Sequence, residues 1–257
     1  MNEAILDKAK LRNGIYYLSD GDDIFELKYI ELRKKENRIY SDEEVKLLPY
    51  ASANNPHKNE WKLRKRSLDR FNNYIYKFNS KLNLLDLGCG NGWFSSNIAK
   101  NKMMGVYALD INKTELEQAA RVFNYQNIKF IYGNIFENIF EQGSFDIVTL
   151  NSSVQYFDDL RTLIKRLFYF LSEEGEIHII DSPFYNQNEV AGAKERTARY
   201  FISTGFPEMA KHYHHHTFDE LNDFDYTILY NPESPAKKLK KIFGIKDSPF
   251  PWIRIKK

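Results

Sequence analysis

The fold of this chain is decided by one stretch, Leu84-Leu85-Asp86-Leu87-Gly88-Cys89-Gly90-Asn91-Gly92. A short apolar run leads directly into a glycine-rich turn, as a buried parallel strand does before a tight loop. Residues 93–100 then have the spacing of a helix. We interpret the stretch as a strand, a turn and the beginning of a helix.

Strand and helix patterns alternate after this stretch. We predict strands at residues 105–109, 128–132, 145–150 and 176–180, helices at 114–124 and 160–171, and two late strands at 224–230 and 252–255. Alternating strands and helices indicate a parallel sheet with helices on both faces. The expected fold class is therefore α/β, with a doubly wound, mostly parallel seven-stranded sheet and an antiparallel C-terminal edge.

The regions outside this alternation suggest the domain organisation. Residues 1–80 are predicted to form an N-terminal helical extension, with helices at 23–35, 41–48 and 59–78. It could be a lid over the strand ends or a cover for one sheet face. Residues 81–257 are predicted to form a Rossmann-like domain, with an insertion at about 184–223 and a basic helix at 235–243.

The glycine-rich turn predicts a ligand site, because ligands of open α/β sheets bind at the carboxyl ends of the strands. Its glycines have the spacing G-x-G-x-G, whereas pyrophosphate-binding turns have G-x-G-x-x-G. Asp86 precedes the first glycine by two residues. A carboxylate there would repel a pyrophosphate and would suit an ammonium group. Asp110, at the end of the next strand, could accept hydrogen bonds from the two hydroxyls of a ribose.

Composition and charge narrow the function classes. The formal net charge of +2 favours neither nucleic acid nor membrane as a partner. The basic runs at residues 62–66 and 237–241 are interpreted as solvated helix faces. The lone cysteine, Cys89, fits a reducing compartment, and residues 1–10 lack the apolar stretch of a signal peptide. We expect a cytoplasmic protein whose oligomeric state the sequence leaves open.

Four segments in succession resemble the motifs of class I S-adenosylmethionine-dependent methyltransferases. They are the stretch 84–92, then Ala108-Leu109-Asp110-Ile111, Tyr132-Gly133-Asn134-Ile135 and Phe145-Asp146-Ile147-Val148. The resemblance spans about residues 82–181. It implies S-adenosylmethionine as cofactor, S-adenosylhomocysteine as product, and cofactor-binding roles for Asp86, Gly88, Cys89, Gly90, Gly92, Asp110, Ile111, Asn134, Ile135 and Asn151.

The resemblance also implies a contact for several of these residues. Asp86 would neutralise the cofactor ammonium, directly or through water, and Asp110 would hold the ribose. Ile111 and Ile135 would flank the adenine. Asn134 stands where the family often has an aspartate, and its carbonyl oxygen could accept from the adenine amine. Asn151 would lie beside the methionine part and the methyl group.

Methyl transfer from a sulfonium is an in-line displacement, so a general base is needed only when the acceptor arrives protonated. The candidate bases are His178, Tyr156, His214 and His215. The histidines at 212–216 could form a solvated loop, a substrate pocket or a metal site. We predict no metal site, because three consecutive histidines cannot all face one ion from a regular element. Asp181-Ser182 and Tyr156 fall where the family often builds its acceptor site.

The range of possible methyl acceptors is narrowed by a motif that the sequence lacks. Asn151-Ser152-Ser153-Val154 does not match the Asn/Asp-Pro-Pro-aromatic motif that is common in enzymes methylating amino groups of nucleic acids. A small-molecule or carbohydrate acceptor remains. The alternatives are an NAD(P)-dependent oxidoreductase, an RNA or protein methyltransferase, and a non-catalytic module that binds S-adenosylmethionine.

Overall fold

The computed structural model of the chain describes residue 6 and residues 9–19, 24–235 and 246–257. The basic helix predicted at 235–243 and the lysines at 237–241 therefore lie outside the described residues, apart from residue 235. In the part that is described, no helix is long and apolar enough to cross a membrane.

A single twisted sheet organises the described chain. Its strands are β1 (Lys10–Arg12), β2 (Ile15–Tyr17), β3 (Leu82–Leu87), β4 (Met104–Asp110), β5 (Ile128–Tyr132), β6 (Phe145–Asn151), β7 (Leu171–Ile180), β8 (Asp225–Tyr230) and β9 (Trp252–Lys256). They lie in the order β1-β2-β5-β4-β3-β6-β7-β9-β8. The strands from β2 to β7 in this order pair in parallel, and β9 pairs antiparallel with both β7 and β8. The predicted fold class is confirmed.

Helices cover both faces of the sheet. They are α1 (Ile24–Lys35), α2 (Asp42–Leu47), α3 (Lys58–Ile75), α4 (Trp93–Ile98), α5 (Lys113–Val122), α6 (Leu160–Phe170) and α7 (Val190–Thr204). On one face Phe71 of α3 and Phe94 of α4 pack at a ring-centroid distance of 5.6 Å. On the other, Leu163 and Leu167 of α6 are buried against the sheet. Each face thus removes a large apolar area from water, which is the main source of stability.

The N-terminal hairpin was not predicted from the sequence. Strands β1 and β2 are joined by Asn13 and Gly14, whose φ angles are 51° and 80°. Positive φ at both turn positions is typical of a two-residue hairpin, and the Asn-Gly pair is its usual sequence signal. Because β2 pairs with β5, the described sheet has nine strands where seven were expected. The N-terminal extension is therefore not purely helical.

The order of the strands places a switch point beside β3. This strand pairs with β4 on one side and with β6 on the other, so the chain connections diverge there. Such a point forms a crevice at the carboxyl ends of the strands, where ligands of open α/β sheets bind. The glycine-rich turn after β3 opens into this crevice.

The insertion and the N-terminal extension contact each other above the strand ends. Between β7 and β8 the chain forms α7 and three short 3₁₀ helices. Leu32 of α1 packs against Phe201 and Met209 of the insertion, and Lys28 of α1 pairs with Glu208 at 2.9 Å. The division of the chain at residues 80 and 81 stays a prediction, since β1 and β2 complete the same sheet as β3 to β9.

Candidate cofactor site

The turn after β3 requires glycine at two positions. Gly88 has a φ of 75°, and a Cβ atom there would lie 2.5 Å from the Cβ atom of Ser153. The Oγ atom of Ser153 donates to the carbonyl oxygen of Leu87 at 2.6 Å, which holds this side chain in place. Gly92 has a φ of 74°, and its Cβ atom would lie 2.8 Å from the Phe130 ring. Any other residue would be strained and would clash.

A cavity of about 440 Å³ opens above the turn at the carboxyl ends of β3, β4 and β5. This volume lies in the range of about 300–1,000 Å³ that is typical of small-molecule and cofactor sites. The predicted site residues that line it are Gly88, Gly90, Asp110, Ile111, Asn134, Ile135 and Tyr156. The structure therefore brings together most of the residues that the resemblance implied.

Asp110 organises the rim of the turn. Its Oδ2 atom accepts a hydrogen bond from the Gly90 N–H at 2.7 Å, and its Oδ1 atom accepts one from the Asn112 N–H at 2.8 Å. Burial raises the pKa of this carboxyl, and the backbone donors oppose that rise. Each carboxylate oxygen can accept more than one hydrogen bond, so the side chain is still able to bind ribose hydroxyls.

The charge of the cavity is negative. Four carboxylates line it, from Glu26, Asp110, Glu115 and Glu137, and no lysine, arginine or histidine is among its described lining residues. Burial, and next the charge of Asp110, raise the pKa of Glu115 to about 7. Such a cavity favours a cationic ligand and repels a pyrophosphate.

Asp86, which precedes the turn, and Cys89 and Gly92 within it do not line the cavity. Asp86 is 1% exposed; the Oγ1 atom of Thr149 donates to it at 2.8 Å, and the Oγ atom of Ser95 donates to its other oxygen. Burial raises the pKa of Asp86 to about 6. Cys89 packs in the apolar core, where burial raises the pKa of its thiol. A direct contact of Asp86 with the cofactor stays a prediction.

Asn134 and Ile135 lie on the wall that was expected to face the adenine. The Oδ1 atom of Asn134 accepts from the Phe136 N–H at 3.0 Å, so this side chain already stabilises its own loop. A carbonyl oxygen has a second lone pair, which is available to the adenine amine. Ile135 is buried, whereas Ile111, which also lines the cavity, is 40% exposed.

Asn151, the last residue of β6, is buried without hydrogen-bond partners. It is 8% exposed, and neither its Oδ1 nor its Nδ2 atom has a partner. Buried side-chain amides are almost always hydrogen-bonded, so these two atoms suit a polar ligand group. The next residue, Ser152, lines the cavity. The position is compatible with the predicted contact to the methionine part of the cofactor.

Helix α1 supplies a wall that sequence reasoning missed. Glu26 and Tyr29 line the cavity, and the Oε1 atom of Glu26 accepts from the Thr114 N–H at 2.8 Å, which anchors α1 to the beginning of α5. Arg33 stacks on the Tyr29 ring at 4.7 Å and donates to the Tyr156 hydroxyl at 3.1 Å. No local signal marks these residues, because α1 precedes the glycine-rich turn by more than fifty residues.

His178 lies away from the cavity. It is fully buried within β7; the Trp252 Nε1–H donates to its Nδ1 atom at 3.1 Å, and its Nε2 atom is 3.2 Å from Glu176. These contacts favour the neutral ring with the proton on Nε2. Burial lowers its pKa. The arrangement is that of a core histidine, and its role as a base has no structural support.

His214 and His215 line a separate cavity of about 490 Å³ on the insertion. Burial lowers the pKa of both rings. The Nε2 atom of His215 lies 2.9 Å from the Thr197 hydroxyl, while His216 contacts Glu220 at 3.3 Å. In the described parts of the chain, no three histidine, cysteine, aspartate or glutamate residues are placed to hold a metal ion.

Comparison with known proteins finds similarity to methyltransferases. The sequence model of a family described as a methyltransferase domain matches residues 78–231. The demethylmenaquinone methyltransferase of Lactococcus lactis is 31% identical over 120 residues, which are 41% of this chain and 46% of the relative. The malonyl-[acyl-carrier protein] O-methyltransferase of Priestia megaterium is 28% identical over 101 residues, 39% of this chain and 36% of the relative. The chain thus spans less than half the length of these curated relatives.

Solved structures share the fold at low sequence identity. The YcgJ protein of Bacillus subtilis has a TM-score of 0.56 at 16% identity, over 75% of this chain and 98% of that one. A geranyl diphosphate methyltransferase in complex with S-adenosylmethionine has a TM-score of 0.53 at 13% identity, over 80% and 91% of the two chains. With the family match covering more than half of the sequence, the chain belongs to the methyltransferase domain family, of the class I S-adenosylmethionine-dependent fold.

Proposed function

We propose that the protein transfers the methyl group of S-adenosylmethionine to a small-molecule acceptor. The observation that carries this proposal is the acidic cavity above the glycine-rich turn, which has no basic side chain among its described lining residues. S-adenosylmethionine is a cation that supplies an activated methyl group on sulfur. The charge of the cavity suits it, and opposes the pyrophosphate of the alternative NAD(P) cofactor.

The residues of this chain act by binding and orientation. The backbone of Gly88 and Gly90 lets the ligand approach closely, and Asp110 holds the sugar hydroxyls. Tyr29 and Tyr156 line the cavity with aromatic rings 5.9 Å apart, edge to face. Ser152 lies at the carboxyl end of β6, where an acceptor can approach the methyl group. Holding two reactants in line is the main requirement of this displacement.

Support for a small acceptor comes from the relatives, whose names refer to demethylmenaquinone and to a malonyl group on a carrier protein. A carbohydrate remains within the proposed class. RNA or protein methylation and a non-catalytic binding role are the alternatives that activity assays must separate. We also propose a cytoplasmic location, which rests on the single cysteine of the sequence.

Calorimetric titration with S-adenosylmethionine and S-adenosylhomocysteine tests the proposal. We expect Asp110→Ala and Gly90→Val each to weaken binding severely, because one removes the sugar contact and the other fills the turn. Asp223→Ala, a change at an exposed aspartate that does not line the cavity, is the matched control. Unchanged affinity in folded Asp110→Ala protein, or tighter binding of NAD⁺ than of S-adenosylmethionine by the wild type, would contradict the proposal.

A further inference from the structure

A second large cavity adjoins the cofactor cavity. We call it the basic pocket; its volume is about 920 Å³, and it is lined by Arg38, Asn59, Glu60, Lys62, Leu63, Arg64, Arg66, Ser152, Asp181, Lys246, Ser248, Pro249 and Phe250. Ser152 lines both cavities, so they meet at the carboxyl end of β6. A molecule in the basic pocket could therefore reach the point where the methyl group is expected.

The charge of the basic pocket is opposite to that of the cofactor cavity. Five cationic side chains line it against two carboxylates. The Glu60 carboxylate forms ion pairs with Arg38 at 2.7 Å and with Arg64 at 2.9 Å. These partners lower the pKa of Glu60 to about 2. Lys62 and Arg66 are exposed on the same helix, α3. The basic run that the sequence presents as a solvated face thus forms one wall of a pocket.

Asp181 gives independent evidence that the pocket is built for a ligand. It follows β7 with a φ of 50° and is 9% exposed. Its Oδ1 atom accepts from the hydroxyls of Ser67 at 2.7 Å and Ser248 at 2.9 Å, whereas its Oδ2 atom is buried without a partner. A buried carboxylate oxygen without a partner is costly, and a left-handed backbone at a non-glycine residue adds strain. Both features are common at functional sites.

Ser152 joins Asp181 to the cofactor cavity. Its Oγ atom donates to the carbonyl oxygen of Asp181 at 2.9 Å, and its own φ is also positive, at 55°. The two strained residues therefore hold the ends of β6 and β7 together at the boundary between the cavities. A hydroxyl or amine of a bound molecule could donate to the Oδ2 atom of Asp181 at this boundary.

We infer that the basic pocket is the acceptor site, and that the acceptor is a small molecule bearing a phosphate or a carboxylate. This inference rests on the proposed methyltransferase function. The acidic cavity holds the cationic donor, the basic pocket holds the anionic part of the acceptor, and the reacting group lies between them at Ser152. Lys62, Lys246 and Arg66, whose guanidinium also donates to the carbonyl oxygen of Lys246, provide the positive charge, while Glu60 pairs with Arg38 and Arg64.

Inorganic phosphate is the probe for the test. Protein saturated with S-adenosylhomocysteine is titrated with phosphate at constant ionic strength, and binding is followed by amide chemical shifts in NMR spectra. We expect saturable binding with shifts at Lys62, Arg66 and Lys246, and about tenfold weaker binding in Lys62→Gln/Arg66→Gln protein, because charge-assisted hydrogen bonds are lost. Lys65→Gln is the control on the same helix, since Lys65 pairs with Asp69 and does not line the pocket.

The outcomes separate the two proposals. Absence of S-adenosylhomocysteine binding in the wild type would overturn the proposed function itself. Normal binding of that product with no saturable phosphate site, or with equal phosphate affinity in the double variant, would overturn only the acceptor site. In methylation assays, release of S-adenosylhomocysteine with RNA but not with small phosphorylated or carboxylated molecules would show that the pocket serves nucleic acid instead.

Discussion

Lowering the pH from about 8 to about 6 should weaken the binding of S-adenosylmethionine through one side chain, Glu115. This carboxyl lines the cofactor cavity, and burial together with Asp110 raises its pKa to about 7. The ionised form attracts the cationic cofactor and the protonated form does not. Binding below pH 7 must therefore release a proton from Glu115, and this lowers the affinity.

The size of the effect follows from the pKa. A carboxyl with a pKa of about 7 is roughly nine-tenths protonated at pH 6 and roughly nine-tenths ionised at pH 8, so its contribution to affinity changes by up to about tenfold, or about 1.4 kcal/mol. The cofactor ammonium also titrates near pH 8, and its effect has the opposite sign. The Glu115→Gln variant shares that ammonium effect, so the difference between the two profiles isolates Glu115.

Calorimetry across this pH range, in buffers of different ionisation enthalpy, measures both the affinity and the protons released. We expect Glu115→Gln to bind about tenfold more weakly than wild type at pH 8 and nearly as well at pH 6. Glu117→Gln, an exposed change on the same helix, should follow the wild type. Identical pH profiles for wild type and Glu115→Gln would show that the charge of Glu115 does not contribute to cofactor binding.

Two substitutions test other parts of the structure. Gly88→Ala should lower the free energy of unfolding by at least about 1–2 kcal/mol and weaken cofactor binding, because its Cβ atom would approach that of Ser153 to 2.5 Å at a positive φ; urea titration with unchanged stability would contradict this. Trp252→Phe should lower the free energy of unfolding by about 1–3 kcal/mol, because it removes the donor to buried His178. The affinity for the cofactor should be unchanged. Lost turnover without lost stability would instead point to a catalytic role for His178.

The sequence predicts those parts of the fold that depend on local patterns. The apolar runs of β3 to β6 and the glycine-rich turn are local, and the structure places them within one or two residues of the prediction. Strand β7 begins at Leu171, five residues before the predicted start, because Gly175 lies inside the strand and does not end it. The hairpin at Asn13-Gly14 has a recognisable turn signal. It was not predicted because its strands are short, with three paired residues each.

The site is less predictable than the fold, because its walls come from distant parts of the chain. Asp110 ends β4 and Ile135 follows β5, so both can be located by position alone. Tyr29 reaches the cavity only through the packing of α1, which the sequence pattern does not specify. The role of Asp86 stays a prediction: the hydroxyls of Ser95 and Thr149 enclose its carboxylate behind the turn, and the sequence pattern does not show this burial.

In the proposed methyl transfer, the negative charge of the cofactor cavity also affects the release of the product. When the methyl group leaves, the sulfonium becomes a neutral thioether and the ligand loses one positive charge. The cavity then attracts S-adenosylhomocysteine less than it attracted S-adenosylmethionine, because its negative charge comes from the carboxylates of Glu26, Asp110, Glu115 and Glu137. The negative lining thus favours the exchange of the product for a new molecule of donor. Loss of the methyl group itself weakens the binding of the ligand.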